Sequence, residues 1–173
     1  MSAVLENILT RRSCRSYGEK QLSEEQLELI LKAGLWAPSG MNRQPWQFTV
    51  IQSPENLALL NRTVLGAAGG PARASFFYGA PTLVAVSAPV SISTAYADCA
   101  LALGNMMLEA HEIGVDSCWI NGVTGAWEKE EVQVLMQKLG VPEGHKVWGC
   151  AALGFADTPL KDVPRKKITV LRR

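Results

Sequence analysis

Residues 36–46 read Trp-Ala-Pro-Ser-Gly-Met-Asn-Arg-Gln-Pro-Trp, and the rest of the chain is organised around this stretch. An apolar helical pattern ends just before it, and a strand-like run begins at residue 48. Its two prolines fix the backbone at both ends and remove two hydrogen-bond donors. Between them, Ser39, Asn42 and Gln44 offer neutral hydrogen-bonding groups, and the flanking tryptophans indicate a partly covered loop. The stretch therefore suits a flat polar heterocycle, although an ordinary helix-to-strand connection fits equally well.

A cluster of arginines follows the first predicted helix, which ends at residue 10. Arg11, Arg12 and Arg15 stand close together, with Ser13 among them. Guanidinium groups make forked hydrogen bonds to phosphate, and a serine adds a neutral donor. The pattern favours an anion site, but cations also suit a helix C-terminus and can lie there in solvent.

Composition excludes several classes of function. A chain of 173 residues fits one domain with a substantial core. A net charge of +1 gives no electrostatic reason to expect binding to nucleic acid or to an anionic membrane. No apolar run is long enough to span a bilayer, and the first residues carry no signal-like core, so we expect a cytoplasmic protein.

Cysteine spacing argues against a disulfide framework or a zinc site. The four cysteines are far apart and form no CxxC pair. Three of them lie within apolar patterns and are predicted as small core residues. Cys14 lies between the arginines, where a half-buried filler is favoured over an oxidation site.

Hydrophobic periodicity predicts interleaved helices and strands. The longest helix is predicted over residues 97–113 and is apolar nearly all round, so it is buried on several sides or covered by another subunit. Strands are predicted over 47–52, 82–87, 116–120, 146–153 and 168–171. His111 is interpreted as a surface or capping residue and His145 as a loop residue, and the glycine-rich segment 66–71 is predicted to be a surface loop. The pattern alone leaves helix-on-sheet and mixed-sheet packing open.

Several motifs, in this order along the chain, resemble those of the nitroreductase family of FMN-dependent oxidoreductases. They are Arg-Arg-Ser-x-Arg at 11–15, Ala-Pro-Ser at 37–39 with Asn-x-Gln-Pro-Trp at 42–46, Asn-Met-Met-Leu at 105–108, Cys-Trp-Ile-Asn-Gly at 118–122 and a basic tail at 165–167. The resemblance covers nearly the whole chain. It implies an α+β fold in which a mainly antiparallel central sheet is wrapped by helices, in an intertwined homodimer. Residues 1–173 would form a single FMN-binding domain, with 155–173 as an extended C-terminal arm.

The resemblance also implies which residues bind the cofactor. The phosphate and ribityl end of FMN would contact Arg11, Arg12, Ser13, Arg15, Arg165 and Lys167. Pro38, Ser39, Gly40 and Asn42 of the other subunit would reach the same flavin, Gln44 would contact its ring or ribityl chain, and backbone amides near Asn121 and Gly122 would face flavin N5. No catalytic side chain and no metal are implied, because a flavin carries its own redox chemistry.

The implied activity is hydride transfer from NADH or NADPH through flavin N5 to a nitroaromatic, a quinone or a similar small-molecule oxidant, in two ping-pong half-reactions. Intact binding motifs equally suit a non-catalytic protein that stores or senses FMN. Specialised chemistry such as flavin cleavage or reductive dehalogenation would need extra substrate-binding elements, and none is identified. Residues 87–96 are too few for the helical insertion that covers the flavin in larger relatives, so we expect an open substrate face.

Overall fold

A computed structural model describes residues 1–69, 75–166 and 171 of the protein. The described residues form six α-helices, one short 3-10 turn and four strands. The helices are α1 (Ala3–Thr10), α2 (Glu24–Leu35), α3 (Pro54–Ala67), α4 (Ala95–Glu112), α5 (Gly122–Gly125) and α6 (Glu130–Lys138); the strands are β1 (Gln47–Ile51), β2 (Thr82–Pro89), β3 (Asp116–Ile120) and β4 (His145–Gly154); the 3-10 turn is Gly40–Asn42.

The four strands form one sheet in the order β1-β2-β4-β3, and every neighbouring pair is antiparallel. β2 lies inside the sheet and is buried on both faces. Its side chains alternate, so that Leu83 and Ala85 join one hydrophobic cluster, whereas Val84 and Val86 join the other. Residues of α3 and α6 cover the first face, and residues of α2 and α4 cover the second. The predicted α+β fold, with an antiparallel sheet wrapped by helices, is confirmed.

Local signals start the helices where the sequence predicts. At α2, the Ser23 hydroxyl accepts from the Gln26 amide, and the Gln26 side chain accepts from the Ser23 amide. This reciprocal capping satisfies two backbone donors that a helix end otherwise leaves free. Ser2 caps α1 in the same manner by accepting from the Leu5 amide. Helix starts therefore follow from local chemistry, apart from α4, which begins two residues before the predicted position 97, and α6, which begins two residues after the predicted position 128.

Two predictions need correction, and two elements were not predicted. Residues 66 and 67 continue α3 instead of starting a loop, while residues 70 and 71 lie outside the described part. His145 is not a loop residue, since β4 begins there and pairs with the end of β2. The helix α5 and the 3-10 turn were missed because neither is long enough to display a helical period. A strand is predicted at 168–171, and residues 168–170 of it lie outside the part of the chain that the structure describes.

One side of the molecule exposes apolar side chains. Helix α1 has no buried residue, and Val4, Leu5, Ile8 and Leu9 are all exposed. Leu101 of α4 is exposed as well. In a single chain, therefore, the apolar face predicted for α1 is uncovered. Within the described residues, no helix is both long and apolar enough to cross a membrane.

Candidate flavin site

The arginine cluster is held at the edge of the sheet by backbone pairing. After α1 ends, Ser13 forms a parallel bridge with Ser117 of β3, and the Cys14 amide donates to the Ser117 carbonyl at 3.0 Å. Further on, Tyr17 pairs with Ala156. The chain between these anchors lies alongside β3, so the arginine side chains start from a fixed backbone. Cys14 itself is fully buried, not half-buried, and burial raises the pKa of its thiol.

These arginines meet the C-terminal arm around a cavity of about 280 Å³, which we call the cationic cavity. Its lining residues are Arg11, Arg12, Ser13, Arg15, Lys161, Val163 and Arg165. The structure thus brings together five of the six residues that were predicted to hold a phosphate. The sixth, Lys167, lies outside the described residues. Lys161 was not predicted, because residues 157–164 carried no pattern that would bring them to residue 11.

Arg11 fits an anion particularly well. Its Nη1 is buried and has no hydrogen-bond partner among the residues that the structure describes. Burial, followed by the nearby charge of Arg165, lowers the pKa of Arg11. A guanidinium does not lose its proton in a protein, so a buried one needs an opposite charge to be stable. A phosphate in the cationic cavity would provide that charge.

Arg12 already has partners. Its Nε donates to Asp162 Oδ1 at 3.0 Å and its Nη2 forms an ion pair with the same oxygen. Its Nη1 donates to the carbonyls of Leu9 and Arg11 at 2.6 and 2.9 Å. The ion pair lowers the pKa of Asp162. Arg12 therefore attaches the arm to the end of α1, and its predicted contact with a phosphate stays a prediction.

The stretch 38–44, which we call the polar loop, has an unusual backbone. Met41, Asn42 and Gln44 all have positive φ, at 55°, 53° and 48°. Side chains other than glycine rarely adopt this region, and such strain persists only where surrounding contacts enforce it. The loop makes two of those contacts itself. The Ser39 hydroxyl accepts from the backbone amide of Gln44 at 2.9 Å, and the side-chain oxygen Oδ1 of Asn42 accepts from Gln44 Nε2 at 2.9 Å. These bonds leave the Ser39 hydroxyl proton and the Asn42 amide protons free to donate.

Helix α4 supplies a further anchor that the sequence analysis missed. The Gly40 amide donates to Asp98 Oδ1 at 2.9 Å, and the Thr94 hydroxyl donates to Asp98 Oδ2 at 2.8 Å. The only available signal was an acidic residue in the first turn of a helix whose middle is apolar. The residues that would reach it lie 58 positions away in the chain.

The end of β3 brings a tight backbone approach. Asn121 and Gly122 connect β3 to α5, and a Cβ added at Gly122 would lie 2.5 Å from the ring of Phe76. Only glycine leaves room for that ring. From Ser117, opposite Ser13, to Ile120 at the end of β3 the chain covers about 10 Å at strand geometry. The predicted phosphate contacts therefore lie beside β3, and the predicted ring contacts directly follow its end.

The polar loop does not join the cationic cavity within one chain. Asn42 and Gln44 line a different cavity of about 570 Å³, together with Leu35, Trp36 and Ala37. The sequence predicts a partly covered loop, and in a single chain Ser39 is half-buried whereas Asn42 and Gln44 are exposed. Trp46 is buried, but Trp36 is 80% exposed. Leu35 beside it is exposed as well, so an apolar patch lies at the start of the loop.

Both histidines lie close to hydroxyl groups away from the cationic cavity and the polar loop. His111 Nε2 lies 2.8 Å from the Thr10 hydroxyl, and His145 Nδ1 lies 3.2 Å from the Ser87 hydroxyl. All four cysteines are buried and free. Among the described residues, no group of three or more His, Cys, Asp and Glu side chains could hold a metal ion.

Comparison with known proteins agrees with this geometry. Residues 8–155 match the nitroreductase family, and the chain belongs to that family. A protein of Archaeoglobus fulgidus, provisionally named NADH dehydrogenase/NAD(P)H nitroreductase, is 33% identical over 90% of this chain and 86% of its own.

Two solved structures are similar along their full length. A nitroreductase with bound FMN from Bacteroides fragilis is 39% identical, with a TM-score of 0.94, over 99% of this chain and 100% of that one. A nitroreductase with bound FMN from Desulfitobacterium hafniense is 28% identical, with a TM-score of 0.89, over 99% of this chain and 100% of that one.

Proposed function

We propose that this protein binds FMN along β3, with the phosphate in the cationic cavity, and that it oxidises NADH or NADPH while reducing a small-molecule oxidant such as a nitroaromatic or a quinone. The observation that carries the proposal is Arg11, a half-buried cation whose Nη1 has no partner among the described residues. Four more cationic side chains line the same cavity, and one carboxylate, Asp162, is paired with one of them. The FMN bound to the two similar nitroreductases supports the same assignment.

Each part of the site has a distinct task in this proposal. Arg11, Ser13 and Arg15 donate to the phosphate. The backbone amides of Asn121 and Gly122, at the start of α5, are not used within that helix and can donate to the flavin ring. FMN, when bound, supplies the redox chemistry by accepting hydride from the nicotinamide and passing it to the oxidant. Because neither histidine lies in these regions, we expect no protein acid or base to be essential.

The purified protein provides the first test. We expect a yellow protein that releases FMN on denaturation and whose flavin is bleached by NADH or NADPH under anaerobic conditions. Adding menadione or a nitroaromatic should restore the colour, and initial rates should follow the parallel-line pattern of ping-pong kinetics. Comparing the two nicotinamides gives their preference. A protein that neither retains nor takes up FMN would overturn the proposal, whereas bound FMN that neither nicotinamide bleaches would favour storage or sensing.

We also propose a homodimer in which the polar loop of one chain serves the flavin held by the cationic cavity of the other. The exposed apolar side chains support it, because a groove of about 410 Å³ between α1, α2 and α4 contains Val4, Trp36 and Leu108. Its lining is completed by Ala3, Ala33, Asn7, Asn105, Glu109 and Glu112. Such a surface is an aggregation hazard unless it is covered. The separation of the polar loop from the cationic cavity within one chain also supports it.

Mixed dimers test the shared site. Inactive Asn42→Asp chains and inactive Arg11→Glu chains are unfolded and refolded together. In a mixed dimer both lesions fall on one site, so the other site is intact, and random pairing should recover about one quarter of wild-type activity. Demonstrated mixed dimers without activity, or a fully active monomer, would contradict the arrangement. The predicted cytoplasmic location stays a prediction.

A further inference from the structure

We propose that Asp98 is the positioning residue of the polar loop: its carboxylate holds the Gly40 amide and thereby fixes Ser39 and Asn42 for their contact with the flavin. The inference rests on the proposed function, in which those two residues serve FMN. It deepens that function by naming a residue that touches no ligand but determines the geometry of the residues that do.

Asp98 is a buried acid without a cation. It is 3% exposed, and no Lys, Arg or His among the described residues forms an ion pair with it. A buried carboxylate is costly unless donors replace the water that it loses. Here the donors are the Gly40 amide and the Thr94 hydroxyl, one on each oxygen. The start of α4 adds a favourable dipole, since Asp98 lies in its first turn.

The way Thr94 is used shows that the carboxylate does not simply cap its own helix. Thr94 occupies the N-cap position of α4, where a hydroxyl normally accepts from a helix amide. No side-chain cap bond forms there, and the hydroxyl donates to Asp98 instead. The Asp98 carboxylate therefore accepts two hydrogen bonds. One comes from Thr94 at the start of α4, and the other comes from Gly40 in the loop.

The loop itself needs such an anchor. Gly40 begins the 3-10 turn, and the next two residues have positive φ. A Cβ at Gly40 would lie 2.9 Å from both Thr94 Cγ2 and Thr94 Oγ1, so the loop backbone packs directly against α4 at this point. The hydrogen bond from the Gly40 amide to Asp98 and the close packing against Thr94 therefore act at the same residue. Releasing them lets Met41 and Asn42 relax towards ordinary φ values, which moves the Asn42 amide.

The test compares Asp98→Asn with wild type in the full-length protein, using hydrogen exchange in the flavin-free form and flavin titration. Asparagine keeps the shape and one acceptor but removes the charge. We expect exchange in a peptide covering residues 37–46 to quicken about tenfold, while a peptide from α6 is unchanged. FMN and riboflavin should then both bind about tenfold more weakly, because the polar loop contacts the part that the two ligands share.

Ser23→Ala serves as the control, since it removes the cap at the end of α2 that is opposite the loop. It should lower the melting temperature without changing either flavin affinity. Wild-type loop exchange and wild-type affinity for both flavins in Asp98→Asn, whatever its melting temperature, would overturn the proposal. If Asp98→Asn does not fold, Thr94→Val and Thr94→Ser decide. Thr94→Val should quicken hydrogen exchange in the loop and weaken the binding of both flavins. Thr94→Ser should keep the exchange rate and both affinities at wild-type values. Equal behaviour of the two variants and wild type would overturn the proposal.

A failure of the proposed function looks different. A wild-type protein that binds no flavin would remove the ligand readout and the functional reading of Asp98. The exchange measurement would still report whether Asp98 holds the loop.

Discussion

In the site that we propose, the cationic cavity and the polar loop hold the flavin in opposite ways. The cavity collects long charged side chains around the end of α1 and the C-terminal arm. The loop uses short neutral side chains on a strained backbone. Coulomb attraction falls slowly with distance, so guanidinium groups tolerate some slack. A neutral hydrogen bond needs its donor within about 3 Å of the acceptor, so the backbone that carries it must be rigid. Charged side chains can therefore bind from an imprecise position, whereas neutral side chains require a rigid backbone.

Removing charge from the cavity should have the largest effect. Arg11→Met is expected to weaken FMN binding by about 1.5–3 kcal/mol, or about 10- to 150-fold, the scale of a hydrogen bond to a charged group. Riboflavin, which lacks the phosphate, should bind as it does to wild type. Titration of the flavin-free protein with both ligands measures this. Arg62→Met, on an exposed part of α3, is the control and should change neither affinity. Equal losses for both flavins would show that Arg11 does not act on the phosphate.

Charging the apolar surface beside the loop should have the next largest effect. Trp36→Lys places an ammonium where we propose that a partner subunit packs, and at least a tenfold weaker dimer is expected from the lost apolar burial. Sedimentation over a concentration series measures the dissociation constant. Leu59→Lys, at an exposed leucine of α3, should leave assembly unchanged. An unaltered dimer in Trp36→Lys would place the interface elsewhere and weaken the shared-site arrangement.

A methyl group added at Gly122 tests the role of the backbone that we propose to contact the flavin ring. Gly122→Ala forces the Phe76 ring or the start of α5 to move, because its Cβ would lie 2.5 Å from that ring. Turnover with NADH and menadione should fall about tenfold, equivalent to about 1.4 kcal/mol in the barrier. Adding Phe76→Leu to Gly122→Ala should recover part of the lost turnover. Gly125→Ala in the same helix has nothing within 4 Å of its Cβ and should behave as wild type.

Removing one neutral contact from the loop should have the smallest effect. Asn42→Ala is expected to weaken flavin binding by about 0.5–1.5 kcal/mol, or about two- to tenfold, the range of a neutral hydrogen bond. FMN and riboflavin should lose affinity by the same factor, in contrast to Arg11→Met. A loss confined to FMN would mean that the loop contacts the phosphate end, and the division between the two regions would then be wrong.

Short-range signals predicted most of the fold correctly. The helix caps at Ser2 and Ser23 and the apolar runs of the strands each depend on residues a few positions apart, and each is present in the structure. The arginine cluster was predictable for the same reason, since Arg11, Ser13 and Arg15 are neighbours in the chain. Gly122 was predicted through the motif around it, but its contact with Phe76 was not, because that contact spans two separate segments.

By itself, the sequence determined which local elements form, which side chains cluster at residues 11–15 and 38–44, and, through its motifs, the family. Only the tertiary structure decided how those side chains are used. It paired Arg12 with Asp162, 150 positions away, and left Arg11 as the arginine with a buried nitrogen that lacks a partner among the described residues. It joined Asp98 to Gly40 across 58 positions and left Trp36 exposed. Hydrogen bonding and burial depend on which distant segments meet, and that is set by packing of the whole sheet and its helices rather than by local sequence.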